Sequence, residues 1–250
     1  MRRLLRIFFL VVVGALIGAI VYEAIMFVRV LLLRSGNPSS TSLIDTRIAE
    51  AEAKGQQPRR EQVWVPLDKI SSNLQRAVLA GEDTNFFTHH GFDYDAIQKA
   101  FEQAQREAAK QAKAEGEDDD WLPNFPEFKR GASTISQQLA KNLYLSSQRS
   151  FIRKGQEALV TIMLERLLTK RRILEIYLNV IEWGDGIYGA EAASQHYFHK
   201  PASALNANEA AFLSAMIPNP RTVFNPQVNP RRVARRQRVI LRGMPFVRLP

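Results

Sequence analysis

Two adjacent carboxylates stand out in the sequence because aromatic and histidine side chains follow them closely. Glu82 and Asp83 end a segment, starting near Ser71, whose apolar residues recur at helical spacing, and Phe86 and His89 come next. Burial beside aromatic rings raises the pKa of a carboxylate towards that of a useful general base. The run therefore predicts an acid–base site at a helix end. The plainer interpretation is a helix terminus with solvated acids.

A second run combines hydroxyls, amides and a cation at the start of a helix. Ser133 or Thr134 can cap that helix, with Ser136 or Gln137 three residues further on. A helix N-terminus offers free N–H groups and a partial positive charge, which suit an anion. Donors on the adjoining helical positions are Gln137, Gln138, Lys141 and Asn142. The run predicts contact with a polar, anionic ligand, because an ordinary amphipathic helix rarely places so many amides near its start.

A third run is rich in positive charge. Arg153 and Glu157 are i, i+4 neighbours on a predicted helix, which favours an ion pair. Such a pair contributes little to stability if it is exposed. Arg149 and Lys154 add cations that lie close to Lys141 in the sequence.

These three runs resemble, in order, the first three motifs of the family 51 glycosyltransferases, the polymerases of bacterial peptidoglycan. The patterns E-D-x-x-F-x-x-H-x-G, G-x-S-T-I-x-Q-Q-x-x-K-N and R-K-x-x-E match residues 82–91, 131–142 and 153–157. Two further blocks, at 173–198 and 209–226, also fit, and the five together cover about residues 64–242. The run at 181–189 is most similar to the monofunctional type found in proteobacteria.

The resemblance implies a reaction and a set of residues. The 4-hydroxyl of a GlcNAc on lipid II attacks C1 of the MurNAc at the reducing end of a growing strand. Undecaprenyl pyrophosphate leaves with inversion, and a β-1,4 linkage forms. Glu82 would be the general base, Glu157 the second glutamate, and Lys141 and Arg149 would face the pyrophosphate. Further substrate-binding positions carried over from the motifs are Asp83, Phe86, His89, Ser133, Thr134, Gln137, Gln138, Asn142, Arg153 and Lys154.

The resemblance implies no obligatory cofactor, although Mg²⁺ or Mn²⁺ could act through Glu157, and it assigns no metal ligand. Two other functions compete with polymerisation. A lysozyme-like hydrolase would also use carboxylates, but its scissile bond carries no phosphate, so it would not need the cations. A membrane-anchored scaffold without activity would not need Glu82, Lys141 and Glu157 to be intact.

Composition restricts the partners. The chain has 250 residues, a formal net charge of +9 and no cysteine, so anionic partners are favoured and thiol chemistry is excluded. Arg2, Arg3 and Arg6 precede the apolar run 7–22, which resumes after Glu23. About 20 apolar residues span a bilayer, and basic flanks stay in the cytoplasm. We expect an uncleaved inner-membrane anchor rather than a signal peptide, a periplasmic catalytic domain, no nucleic acid, and contacts with other cell-wall synthesis or division proteins.

The elements that position these motifs are mainly helices. We expect an anchor at 1–34, a linker or juxtamembrane segment at 35–62 and a mainly α, lysozyme-like glycosyltransferase domain at 63–250, with an enlarged loop at about 100–130. Helical periodicity predicts helices near 44–54, 71–81, 96–114, 134–145, 151–169, 171–180, 187–197, 206–216 and 230–242.

Four arginines in the last predicted helix form one stripe at i, i+4, i+7 and i+11: Arg231, Arg235, Arg238 and Arg242. Most such stripes are solvated faces, and contact with anionic lipid head groups is the sharper hypothesis. His196 and His199 flank an aromatic pair, and we expect them to be packing or surface residues rather than metal ligands.

Overall fold

The fold is a bundle of helices with one very small sheet. The computed structural model describes residues 2–115, 133–145 and 150–250, except for the side chains of residues 104 and 107–115. The helices are α1 (Arg2–Leu32), α2 (Ser42–Ala53), α3 (Ser72–Glu82), α4 (Tyr94–Glu115), α5 (Ile135–Tyr144), α6 (Phe151–Leu167), α7 (Lys170–Val180), α8 (Ala190–Phe198), α9 (Ala207–Met216) and α10 (Pro230–Gly243). The strands are β1 (Glu61–Gln62), β2 (Glu182–Gly184) and β3 (Ile187–Tyr188). The predicted mainly α class is confirmed.

Side-chain caps explain where several helices begin. A hydroxyl or amide oxygen at the residue before the helix accepts an N–H from the first turn, which contributes about 1 kcal/mol per helix. The capping residues are Thr41, Ser71, Thr134, Ser150, Thr169 and Asn206. Thr134 forms a full capping box with Gln137, as predicted. The Asp93 carboxylate accepts the Ala96 N–H at 2.9 Å and caps the first turn of α4 in the same way.

The core lies between α3, α9 and α10 and continues through α5, α6 and α7. Leu74, Ala77 and Val78, the predicted apolar face of α3, are fully buried. Gly81 lets α3 approach its neighbours closely, since a Cβ there would lie 2.8 Å from the Ser214 hydroxyl oxygen. The last turn of α3 is therefore fixed against α9 and α10.

The predicted helix at 187–197 begins late, at Ala190, and this prediction is wrong for its first residues. Ile187 and Tyr188 form β3, which pairs in parallel with β1 and antiparallel with β2. Gly189 then adopts a φ of +83°, in the left-handed region that favours glycine, and α8 starts after it. Pairing with a strand far away in sequence overrides the local helical pattern.

Helix α4 confirms the predicted helix near 96–114 and therefore occupies the first half of the region also expected to be an enlarged loop at about 100–130. Residues 116–132 lie outside the described residues. The rest of that predicted loop is therefore untested.

Helix α1 is long and apolar enough to cross a membrane. Most of its side chains are exposed, but its last turns pack onto the domain, with Met26, Val30 and Leu33 buried. Arg172 in α7 donates from Nε to the Leu33 carbonyl at 2.9 Å and from Nη2 to the Gly36 carbonyl at 2.6 Å. The end of α1 is therefore part of the folded domain.

Candidate active site

A cleft of about 680 Å³ brings together residues from both ends of the chain. Its walls come from α2, the end of α3, α5, β2, the segment 217–224 and α10. The charged and amide side chains that line it are Arg47, Glu50, Glu82, Gln138, Lys141, Asn142, Glu182, Asn219, Arg221, Arg232 and Arg236. Ser133 also lines it. Five of the residues predicted from the motifs therefore share one cleft: Glu82, Ser133, Gln138, Lys141 and Asn142.

Glu82 is the last residue of α3, and only 8% of its side chain is exposed. Its Oε2 accepts a hydrogen bond from Gln138 Nε2 at 2.9 Å, and its Oε1 accepts one from Arg236 Nη2 at 2.7 Å. Burial raises the pKa of this carboxyl above its ordinary value, while Arg236, Gln138 and Lys141 oppose the shift. A carboxylate with a raised pKa at the wall of a cleft is suited to general base catalysis.

A buried tyrosine fixes the orientation of the Gln138 amide. Tyr177, in α7, is fully buried, and its hydroxyl donates to Gln138 Oε1 at 2.8 Å. Burial raises the pKa of Tyr177 well above its usual range, so the phenol keeps its proton. Because the amide oxygen is held by Tyr177, the amide nitrogen points towards Glu82.

Asp83 joins α3 to α5 and does not line the cleft of about 680 Å³, but with Glu82 and Ser133 it lines a smaller pocket of about 250 Å³. Its carboxylate lies 3.0 Å from His89 Nε2 and accepts the Ile135 N–H, at the start of α5, at 2.9 Å. The Gly91 N–H donates to His89 Nδ1 at 3.1 Å, which places the ring proton on Nε2, facing Asp83. The anion expected at the N-terminus of α5 is thus a side chain of the protein itself.

Three more predicted residues act inside the fold in this structure. The Thr134 hydroxyl donates to the Gly91 carbonyl at 2.7 Å, and Gln137 Oε1 accepts the Thr134 N–H at 3.0 Å. Phe86 is fully buried, with the Lys170 ammonium 4.4 Å from its ring centroid. These residues hold the two motif segments together, and their neighbours Glu82, Ser133 and Gln138 line the cleft of about 680 Å³.

Glu157, in α6, is also buried, with 5% of its side chain exposed. Arg153 Nη1 lies 2.8 Å from its Oε2, and the Lys154 ammonium pairs with its Oε1. The predicted i, i+4 pair is confirmed, but its carboxylate is buried. The pKa of Lys141 is lowered by desolvation, and the charge of Glu157 opposes that shift. Arg149, the remaining predicted residue, lies outside the described residues.

Glu157 does not fit a divalent metal in this arrangement. Each of its carboxylate oxygens already pairs with a cation. Within the described ranges, no group of three or more His, Asp or Glu side chains is placed to hold a metal ion. The Mg²⁺ or Mn²⁺ that the resemblance allows stays an expectation, and no step below depends on it.

Sequence reasoning missed the opposite wall of the cleft. Arg47, in α2, donates two hydrogen bonds to Glu182, at 3.1 and 3.0 Å, and also pairs with Glu50. Arg221 bridges Glu50 and Asp185, at 3.3 and 3.0 Å. Helix α2 belongs to the stretch 35–62 expected to be a linker or juxtamembrane segment. No sequence signal pointed to its place in the cleft.

Arg236 was also missed, although a signal for it exists. The four arginines of the predicted stripe are all exposed, whereas Val233 and Ile240 on the inner side of α10 are buried. Arg236 lies between these two along the helix, off the stripe. A charged residue on the buried side of an amphipathic helix needs a buried partner, and here that partner is Glu82.

A helical domain whose cleft sets a buried carboxylate beside cations is typical of an enzyme that acts on an anionic substrate. The transglycosylase family model matches residues 48–116 and 121–245, and the chain belongs to this family. A biosynthetic peptidoglycan transglycosylase of Thiobacillus denitrificans is 45% identical over 239 residues, which are 96% of this chain and 95% of that protein. A protein of the same name from Chromobacterium violaceum is 42% identical over 98% of this chain and 99% of its own length. The one from Herminiimonas arsenicoxydans is 40% identical over the whole of both chains.

Proposed function

We propose that this chain is a peptidoglycan transglycosylase of cell-wall synthesis that polymerises lipid II, with Glu82 as the general base. The observation that supports this most is the environment of Glu82. Its carboxylate is buried at the wall of the cleft, has a raised pKa, and is oriented by Gln138 and Arg236. Such a group can remove the proton of the GlcNAc 4-hydroxyl as that oxygen attacks C1 of the donor sugar.

The leaving group needs charge neutralisation rather than a strong acid, because pyrophosphate is already a good leaving group. Lys141 follows Gln138 by three residues on α5 and lines the same cleft. An ammonium there would form charge-assisted hydrogen bonds to the developing phosphate charge. Arg149 is proposed for the same task from its motif position.

Glu157 would act through its cations in this scheme. It holds Arg153 and Lys154 on the first turns of α6, and its charge acts on Lys141. Glu157 binds a cation at each oxygen and does not line the cleft that contains Glu82. We therefore assign Glu157 to the positioning of positive charge near the pyrophosphate.

The substrate and the enzyme would share one bilayer. Helix α1 provides a candidate span, and the basic residues at its start favour a cytoplasmic N-terminus, so the cleft would face the periplasm. The lipid chains of lipid II and of the undecaprenyl-linked strand would then lie beside α1. Other proteins of wall synthesis or division are further proposed partners.

The test is polymerisation of fluorescent lipid II by the protein in detergent, with Glu82→Gln as the matched variant. The wild type should yield long glycan strands, and Glu82→Gln should lower the rate by about 10²–10⁴-fold, the usual contribution of a general base. A thermal melt of each protein shows whether the variant is folded.

Three other results would count against the proposal. Strand synthesis by folded Glu82→Gln would remove Glu82 from the role of base. Lipid II binding without product from the wild type would favour the scaffold. Cleavage of finished, phosphate-free glycan would favour a lysozyme-like hydrolase.

A further inference from the structure

Arg236 occupies an unusual position for an arginine. It is on the inner side of α10, where the buried Val233 and Ile240 pack against the core, and only 27% of its side chain is exposed. A guanidinium in such a place loses hydration, which is costly unless an anion replaces the water. The surrounding contacts show what replaces it.

One nitrogen of Arg236 joins two consecutive residues of α3. Nη2 donates to Glu82 Oε1 at 2.7 Å and to the Gly81 carbonyl at 2.9 Å. The Gly81 carbonyl lies in the last turn of α3, where helix carbonyls lack partners within the helix. Arg236 therefore binds the end of the α3 backbone and the Glu82 carboxylate at once, which ties the rotamer of Glu82 to the position of α10.

Phe224 keeps the guanidinium in place. The Arg236 guanidinium carbon lies 5.4 Å from the centroid of the Phe224 ring, and the Arg232 guanidinium carbon lies 5.7 Å from the same centroid. Stacking on an aromatic ring restricts a long side chain and adds a cation–π attraction. Arg236 is thus held by contacts that are independent of Glu82.

The charges around Glu82 come from four elements. Lys141 on α5, Tyr177 on α7 and Arg236 on α10 face it, and Asp83 follows it at the end of α3. Arg236 is the largest of the influences that oppose the effect of burial on the Glu82 carboxyl. Without Arg236, the retained hydrogen bond from Gln138 would be neutral, and Lys141 would be the main remaining cation.

We propose that Arg236 is a positioning residue for the reaction, which pairs with the Glu82 carboxylate and holds it in a single rotamer so that the base is ready when the acceptor hydroxyl arrives. This inference rests on the proposed role of Glu82. It adds a requirement that the motif residues do not contain, namely that α10 must be docked on α3 for the base to work.

The experiment compares pH–rate profiles of lipid II polymerisation in detergent for wild type, Arg236→Ala, Arg236→Lys and Arg235→Ala. Arg235 is the control, since it is the exposed neighbour on the same helix. Arg236→Ala should lower kcat at neutral pH by roughly tenfold to a hundredfold, within the range for lost electrostatic preorganisation. KM should change little, and the acid limb of the profile should move to higher pH.

Arg236→Lys separates charge from shape. It should return the acid limb close to its wild-type position, while kcat recovers only in part because an ammonium lacks the planar guanidinium. Arg235→Ala should match the wild type. If Arg236→Ala does not fold, Arg236→Gln replaces it as the neutral variant, and a limb that moves in Arg236→Gln but not in Arg236→Lys supports the proposal.

An acid limb at the wild-type position in a folded neutral variant would overturn the inference. Glu82→Gln, measured in the same series, separates this failure from failure of the proposed function. If Glu82→Gln is inactive while the Arg236 variants keep the wild-type limb, Glu82 stays the base and only the role of Arg236 is lost. If Glu82→Gln stays active, the general base itself is misassigned and the inference falls with it.

Discussion

Two buried glutamates, Glu82 and Glu157, are exposed to a similar extent and have different surroundings. Glu82 has 8% of its side chain exposed and Glu157 has 5%. Glu82 receives one hydrogen bond from a neutral amide and one from an arginine, and the balance of burial and charge leaves its pKa raised. Glu157 has a cation on each oxygen.

The difference shows that burial alone does not make a carboxylate reactive. What distinguishes Glu82 is its raised pKa and its place in the wall of the cleft, whereas Glu157 binds a cation at each oxygen. Of these two glutamates, Glu82 lines the cleft and Glu157 does not. The structure thus separates a glutamate suited to proton transfer from one suited to holding cations, although both belong to motifs of the same family.

The largest effect that tests the different roles of Glu82 and Glu157 is expected when Glu157 is neutralised. Glu157→Gln should lower polymerisation by roughly tenfold or more through misplaced Arg153 and Lys154, yet less than Glu82→Gln does. Steady-state rates with fluorescent lipid II measure it. Glu165→Gln is the matched control, because Glu165 is a buried, Lys170-paired glutamate on the same helix. If Glu157→Gln were as inactive as Glu82→Gln, Glu157 would have a direct chemical role.

The pH dependence of the polymerisation rate tests whether Glu82 acts as the base. The base must be ionised to accept a proton, and burial raises the pKa of Glu82. The rate should therefore fall on acidification at a higher pH than an ordinary glutamate, with a pKa of about 4.3, would produce. The loss should approach about tenfold per pH unit below the limb. Melting temperatures over the same range exclude unfolding, and an acid limb at the ordinary value would contradict the assignment.

The smallest effect should come from the tyrosine behind Glu82. Tyr177→Phe removes the donor to Gln138 Oε1, which frees the amide to rotate, and should slow polymerisation by a few fold and cost about 1 kcal/mol of unfolding free energy. Tyr188→Phe is the control, since the Tyr188 hydroxyl is buried with no hydrogen-bond partner among the described residues. Equal effects of the two changes would mean that Tyr177 only fills space.

Local patterns predicted most of the helices because the apolar spacing and the caps agree with the tertiary fold. The cap at Thr134 follows from residue types alone. The start of α8 was missed because Ile187 and Tyr188 pair with β1, more than a hundred residues earlier. A two-residue strand of that kind has no signal of its own in the sequence.

The motifs identified Glu82, Gln138 and Lys141, which meet in the cleft. They could not show that Asp83 binds His89 and the Ile135 N–H within the fold, because a motif lists residues and not their partners. Arg47 and Arg236 come from opposite ends of the chain and enter the site only through packing. Arg47 lies before the first motif, and Arg236 could have been recognised only as a charged residue on the buried side of α10.

The contact between the end of α1 and the domain limits how far the N-terminus of the protein can be shortened. Met26, Val30 and Leu33 belong to the buried set, and Arg172 binds the carbonyls of Leu33 and Gly36. Cutting the chain after residue 34 would remove these apolar side chains and expose the surface of α6 that they cover. It would also remove the Leu33 carbonyl, which is one of the acceptors of Arg172. A cut before Met26 would keep this contact and remove most of the exposed apolar helix. The exposed apolar part of α1, which requires detergent, can therefore be removed without removing the residues that the domain needs to fold.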